Sequence, residues 1–71
     1  MKGSEFERRV KQYGKSHGLA VHFETHGKGS HGRLYLGGRF TTLKDRRKEI
    51  GSGLLNAMLT QLGLTRKDLG L

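Results

Sequence analysis

Cysteine, proline and tryptophan are all missing from this chain of 71 residues. Without cysteine there is no disulfide and no thiolate–metal staple, and the chemistry suits a reducing compartment. The absence of proline removes the commonest breaker, so glycine, present twelve times, must punctuate the chain. Apolar residues make up only 32% of the sequence, and no apolar run approaches the roughly 20 residues that span a bilayer. Nor is there the apolar stretch of a signal peptide. A single small domain over residues 1–71 is expected, soluble and cytoplasmic, with a modest core.

Acidic residues are also scarce. Six Asp and Glu oppose fourteen Lys and Arg, leaving a net charge of +8 and a pI near 10.5. Such an excess repels itself unless a polyanion relieves it, which makes nucleic acid the first partner to expect and an acidic protein the second. The basic residues are scattered rather than gathered on one amphipathic helix, so no membrane partner is expected.

Periodicity orders the rest. Ser4-Glu5-Phe6-Glu7 reads as a capping box with Ser4 as the N-cap, and Phe6, Val10 and Tyr13 form one apolar stripe of a helix ending near Gly14 and Gly18. Leu19 to Thr25 alternates, with Leu19, Val21 and Phe23 on one face and Ala20, His22 and Glu24 on the other. Arg33 to Leu36 and Arg39 to Leu43 flank Gly37-Gly38, a two-residue hairpin signal. That turn pairs Tyr35 with Phe40 on the outer face, so either the two rings form an exposed pair or a longer loop resets the register. A charged connection, Lys44 to Glu49, leads to a second helix opened by Ser52 or Gly53. Its stripe is Leu55, Met58, Leu59 and Leu62, and Gly63 closes it. Thr65-Arg66-Lys67-Asp68 reads as a second, smaller capping box. The expected architecture is α+β with two layers: a three-stranded antiparallel sheet with two helices on one face, in the order α-β-β-β-α. Its free face would carry His22, Glu24, His31, Arg33 and Tyr35.

Thr25-His26-Gly27-Lys28-Gly29-Ser30-His31-Gly32-Arg33 is the stretch with the most chemistry. Read plainly, it is a turn in which glycine supplies positive φ. Read functionally, the glycines open the backbone to a ligand and their N–H groups form an anion-binding nest. Lys28 and Arg33 flank that nest, Ser30 adds a donor, and His31 brings an imidazole able to take and give a proton near neutrality. On RNA such a group removes the 2′-hydroxyl proton while cations hold the charge developing on the phosphate, without a metal or other cofactor. His26 is a second histidine within reach. The four histidines complete no recognised ligand spacing, so no metal is expected. Lys44, Arg46, Arg47 and Lys48 form either a solvated charge run or a set of phosphate contacts.

Three segments carry a family resemblance. Met1-Lys2-Gly3-Ser4-Glu5-Phe6, Gly29-Ser30-His31, and Lys48 to Leu55 followed by Leu59 to Leu64 resemble, in that order, the first helix, the G-S-H signature and the second helix of HicA toxins. HicA proteins are ribonucleases of bacterial toxin–antitoxin modules. The resemblance implies a double-stranded-RNA-binding-domain-like fold and a metal-independent mRNA interferase that inhibits translation. The catalytic residue is then His31, with Gly29 and Ser30 shaping its loop. By the charge and loop chemistry above, Lys28, Gly29, Ser30, Arg33, Lys44, Arg46 and Arg47 are the expected RNA contacts. The resemblance also implies an acidic HicB-type antitoxin that masks the active face, with operator DNA engaged only through the complex. Where many members carry a second histidine or a bulky residue directly after the catalytic one, this chain has Gly32. The alternative is a non-catalytic basic RNA-binding module of the same fold.

Overall fold

A computed structural model describes residues 1–25 and 31–71. Lys28, Gly29, Ser30 and His26, named above, lie outside the described residues. The order is α1 (Gly3–His17), β1 (Val21–Thr25), β2 (Gly32–Leu36), β3 (Arg39–Leu43) and α2 (Ser52–Leu62), then a single 3₁₀ turn (Lys67–Leu69). The strands form one antiparallel sheet in the order β1-β2-β3. This is the expected α+β arrangement, with its core on one side of the sheet.

Helix α1 buries Phe6 and Val10, both 0% exposed, against Leu34 and Leu36 of β2 and Leu43 of β3. Helix α2 adds Leu55, Met58, Leu59 and Leu62, the expected stripe, and Leu64 and Leu69 close the end of the core. Each such side chain contributes about 1.5–3 kcal/mol on burial. Among the described residues no buried side-chain polar atom lacks a hydrogen-bond partner.

The start of α1 differs from the expected capping box. The helix begins at Gly3, with Lys2 in the cap position and no side-chain cap. Its first N–H groups are taken by the distant connection instead: Gly3 donates to the Lys48 carbonyl at 3.1 Å and Ser4 to the Arg46 carbonyl at 2.8 Å. Glu7, freed from capping, accepts from Lys11 at 3.0 Å and from Arg46 at 3.1 Å. The Arg46 guanidinium also lies 4.6 Å from the centre of the Phe23 ring. One residue of the connection is thereby tied to both α1 and β1.

Burial pushes the pKa of Glu7 up, but the hydrogen bonds and charges of Lys11 and Arg46 outweigh it and leave it below the ordinary carboxylate value. A carboxylate with a depressed folded pKa stabilises the fold above its unfolded pKa, and the benefit fades as pH falls through the folded value. Thermal unfolding followed from pH 7 to pH 3 should therefore show the melting temperature dropping below about pH 4.5. Glu7→Gln should flatten part of that drop; an identical profile would show that the bridge does not couple to folding.

The hairpin settles the aromatic register. Leu36 pairs with Arg39, Tyr35 with Phe40 and Leu34 with Thr41, the pattern of a two-residue turn, with Gly37 at φ +59°. Tyr35 and Phe40 stand side by side on the outer face, ring centres 5.6 Å apart. Leu19 departs from expectation: β1 starts at Val21, and Leu19 is 42% exposed, because the α1 C-cap draws its N–H to the Gly14 carbonyl. The Thr65–Asp68 box is present in both directions, Thr65 N–H to Asp68 Oδ2 at 2.8 Å and Asp68 N–H to Thr65 Oγ1 at 3.2 Å.

Candidate active site

His31 is exposed and stands immediately before β2, one residue outside the ladder that pairs Gly32 with Leu43. It borders a cavity of about 400 Å³ between β3, the charged connection and one side of α2 from Leu54 to Gln61. Lys44 and Lys48 line the same cavity, and so do Thr41, Thr42 and Gln61. Leu43, Ile50, Leu54, Ala57 and Met58 supply its apolar surface. An imidazole thus opens onto a concave surface bordered by two ammonium groups.

Local backbone explains why His31 is held there. Gly32 is buried, and a Cβ on it would lie 2.6 Å from the Glu24 carbonyl oxygen and inside the contact radius of the Phe23 ring. The aromatic ring takes the space that a side chain at 32 would fill, an arrangement known to rescue glycine in sheets. Because Phe23 is in turn covered by Arg46, the strand position beside His31 is fixed from α1, through Glu7 and Arg46, to β1.

The acidic groups bordering the cavity are ion-paired, Asp45 with Arg47 and Glu49 with the N-terminal ammonium. Asp45 accepts the backbone N–H of Arg47 at 2.9 Å, the main cause that lowers its pKa. Glu49 accepts from the N-terminal ammonium at 2.7 Å, which lowers its pKa likewise. Lys44 and Lys48 therefore set the electrostatic sign of the cavity.

The other expected contacts are distributed differently. Arg33 lies on the outer sheet face, its guanidinium 4.5 Å from the centre of the Phe40 ring. His22, Tyr35 and Phe40 form a ladder across that face, with His22 stacked on Tyr35 at 4.6 Å. His22, Glu24, Arg33 and Tyr35 share the outer face, as expected, whereas His31 lines a cavity that also touches the inward residues Thr41 and Leu43. Arg46 is committed to Glu7 and Phe23, and Arg47 is 89% exposed beside Asp45. Thr41 and Gln61 were missed. An inward-facing threonine between Leu34 and Leu43 was the available signal, since a buried hydroxyl needs a partner.

No family model matches the chain, and no solved structure matches it. A protein of Pseudomonas fluorescens (strain Pf0-1), named "Probable mRNA interferase HicA", is 45% identical over 65 residues, spanning 90% of this chain and 97% of its own length. With nearly half the positions identical over almost the whole of both proteins, the chain belongs to the HicA family.

Proposed function

We propose that the chain is the toxin of a toxin–antitoxin module, cleaving mRNA and so inhibiting translation, with His31 as the base that starts the reaction. The observation that carries this reading is His31 on a cavity bordered by Lys44 and Lys48. In the step it supports, His31 takes the proton of a ribose 2′-hydroxyl. The 2′-oxygen bonds to the adjacent phosphorus, and the bond from phosphorus to the 5′-oxygen breaks. The departing oxygen takes a proton from water or a protein group, leaving a 2′,3′-cyclic phosphate. Lys44 and Lys48, with Lys28, Arg33, Arg47 and the backbone donors of Gly29 and Ser30, offset the negative charge that grows on the phosphate. The reaction requires no metal.

An RNA substrate and an antitoxin follow from the family name of the relative. The partner this charge favours is an acidic HicB-type protein that covers the cavity and His31, with operator DNA contacted only through that complex. Among the described residues no helix is long and apolar enough to cross a membrane. The cytoplasm, where mRNA is translated, is the matching location.

Incubation of the purified chain with mRNA in EDTA is expected to give cleavage at the rate seen without chelator. Salt-sensitive binding with intact RNA would instead identify a non-catalytic RNA-binding module. Loss of cleavage in EDTA would identify a metal-dependent route.

A further inference from the structure

Among the polar groups that line the cavity beside His31 and that the chemistry above leaves unused is Gln61. Gln61 stands in the last turn of α2, next to the buried Leu62. Its amide reaches β3, where Thr41, 1% exposed, donates its hydroxyl to Gln61 Oε1. In this arrangement the amide is held oxygen-inward, its Oε1 accepting the buried hydroxyl's hydrogen. Planarity then aims Nε2, with two N–H donors, away from Thr41. Nearby, Leu54 is 52% exposed and forms the apolar surface of the cavity with Ala57 and Met58.

We propose that this cavity is a nucleobase pocket for the RNA nucleotide flanking the phosphate at His31. In it Gln61 reads pyrimidine C4 or purine C6, selecting uracil or guanine, which carry a carbonyl oxygen there, over cytosine or adenine, which carry an amine. The proposal rests on the nuclease reading and names what that site recognises. A volume near 400 Å³ lies in the range of small-molecule sites and accommodates a nucleoside. The apolar wall meets the face of the base, and the Gln61 amide meets its edge. Both carboxylates of the cavity have a cation beside them, Arg47 at Asp45 and the N-terminal ammonium at Glu49, so neither presents an unpaired charge to the base. Facing an exocyclic amine, the Nε2 donors would stay unpaired, which is how a hydrogen-bonding site rejects the wrong partner.

The test uses the full chain with His31→Ala, so that RNA stays intact, titrated with short oligouridylate and oligocytidylate. These probes present a carbonyl and an amine, respectively, at the same ring position. Uridylate is expected to bind about fivefold more tightly or better, the usual effect of one neutral hydrogen bond. Gln61→Glu in the same background keeps the acceptor for Thr41 and turns the outward donor into an acceptor. The added negative charge weakens both probes alike, so the ratio is the readout. That ratio is expected to reverse in favour of cytidylate. Equal binding of the two probes to the parent, or an unchanged uridylate preference in Gln61→Glu, would overturn the pocket assignment. If the wild-type chain cuts no RNA yet the ratio reverses as expected, the nuclease reading falls and the pocket stands. If RNA is cut with no discrimination, the reverse holds.

Discussion

Replacing His31 by alanine is expected to lower the rate of RNA cleavage by about 10²–10⁴-fold, the contribution of a positioned acid–base group. The fold should not change, because His31 is exposed and lies outside the β2–β3 ladder. Circular dichroism and melting temperature of His31→Ala should match the wild type, while cleavage of a labelled RNA falls to near background. Affinity for RNA should change far less, since Lys44, Lys48 and the remaining cations are untouched. A variant that binds and cuts at the wild-type rate would remove His31 from the chemistry. One that fails to fold would show the residue to be structural.

Gly14→Ala carries the largest expected cost in stability, against the intrinsic preference of a helix. Alanine in a helix interior is normally worth up to about 1 kcal/mol over glycine. Here an added methyl would sit 2.7 Å from the Leu19 carbonyl oxygen and inside the contact radius of Val21 Cγ2. The carbonyl belongs to the turn that follows the left-handed cap at Gly18, φ +68°, and it cannot move without disturbing the entry into β1. Overpacking of this kind costs about 1–3 kcal/mol, which outweighs the helix term. For so small a domain the result should be a melting temperature lower by roughly 4–8 °C for each kcal/mol lost. A rise in melting temperature would mean that α1 and β1 separate freely at this point.

Much of this architecture was legible because its signals are local. The stripes Phe6, Val10 and Leu55, Met58, Leu59, Leu62 mark the buried faces, and Gly18 and Gly63 end the helices through left-handed caps. Gly37-Gly38 gives the hairpin, and Thr65 and Asp68 bond each other as their spacing implies. The start of α1 was not legible, because its caps are carbonyls of residues 46 and 48, some forty positions away. Glu7 and Arg46 meet across the same gap, so neither the ion pair nor the Phe23 contact could be read from neighbouring letters. In the site, His31 stood out by its glycine-rich surroundings. The cavity it borders did not, because Thr41, Lys48 and Gln61 come together only when α2 packs on β3. Polar residues that are twenty positions apart and joined by one hydrogen bond leave no periodic trace.

In the proposed reaction the neighbouring 2′-hydroxyl is turned on the scissile phosphate. The most direct measurement gives the wild-type protein one RNA oligonucleotide and its twin carrying a single 2′-deoxy nucleotide at the cut site, in EDTA, and reads the products by mass spectrometry. A 2′,3′-cyclic phosphate is expected from the all-ribose strand, and no cut at the deoxy position. Cleavage of both strands, or a 3′-hydroxyl end, would contradict that reaction.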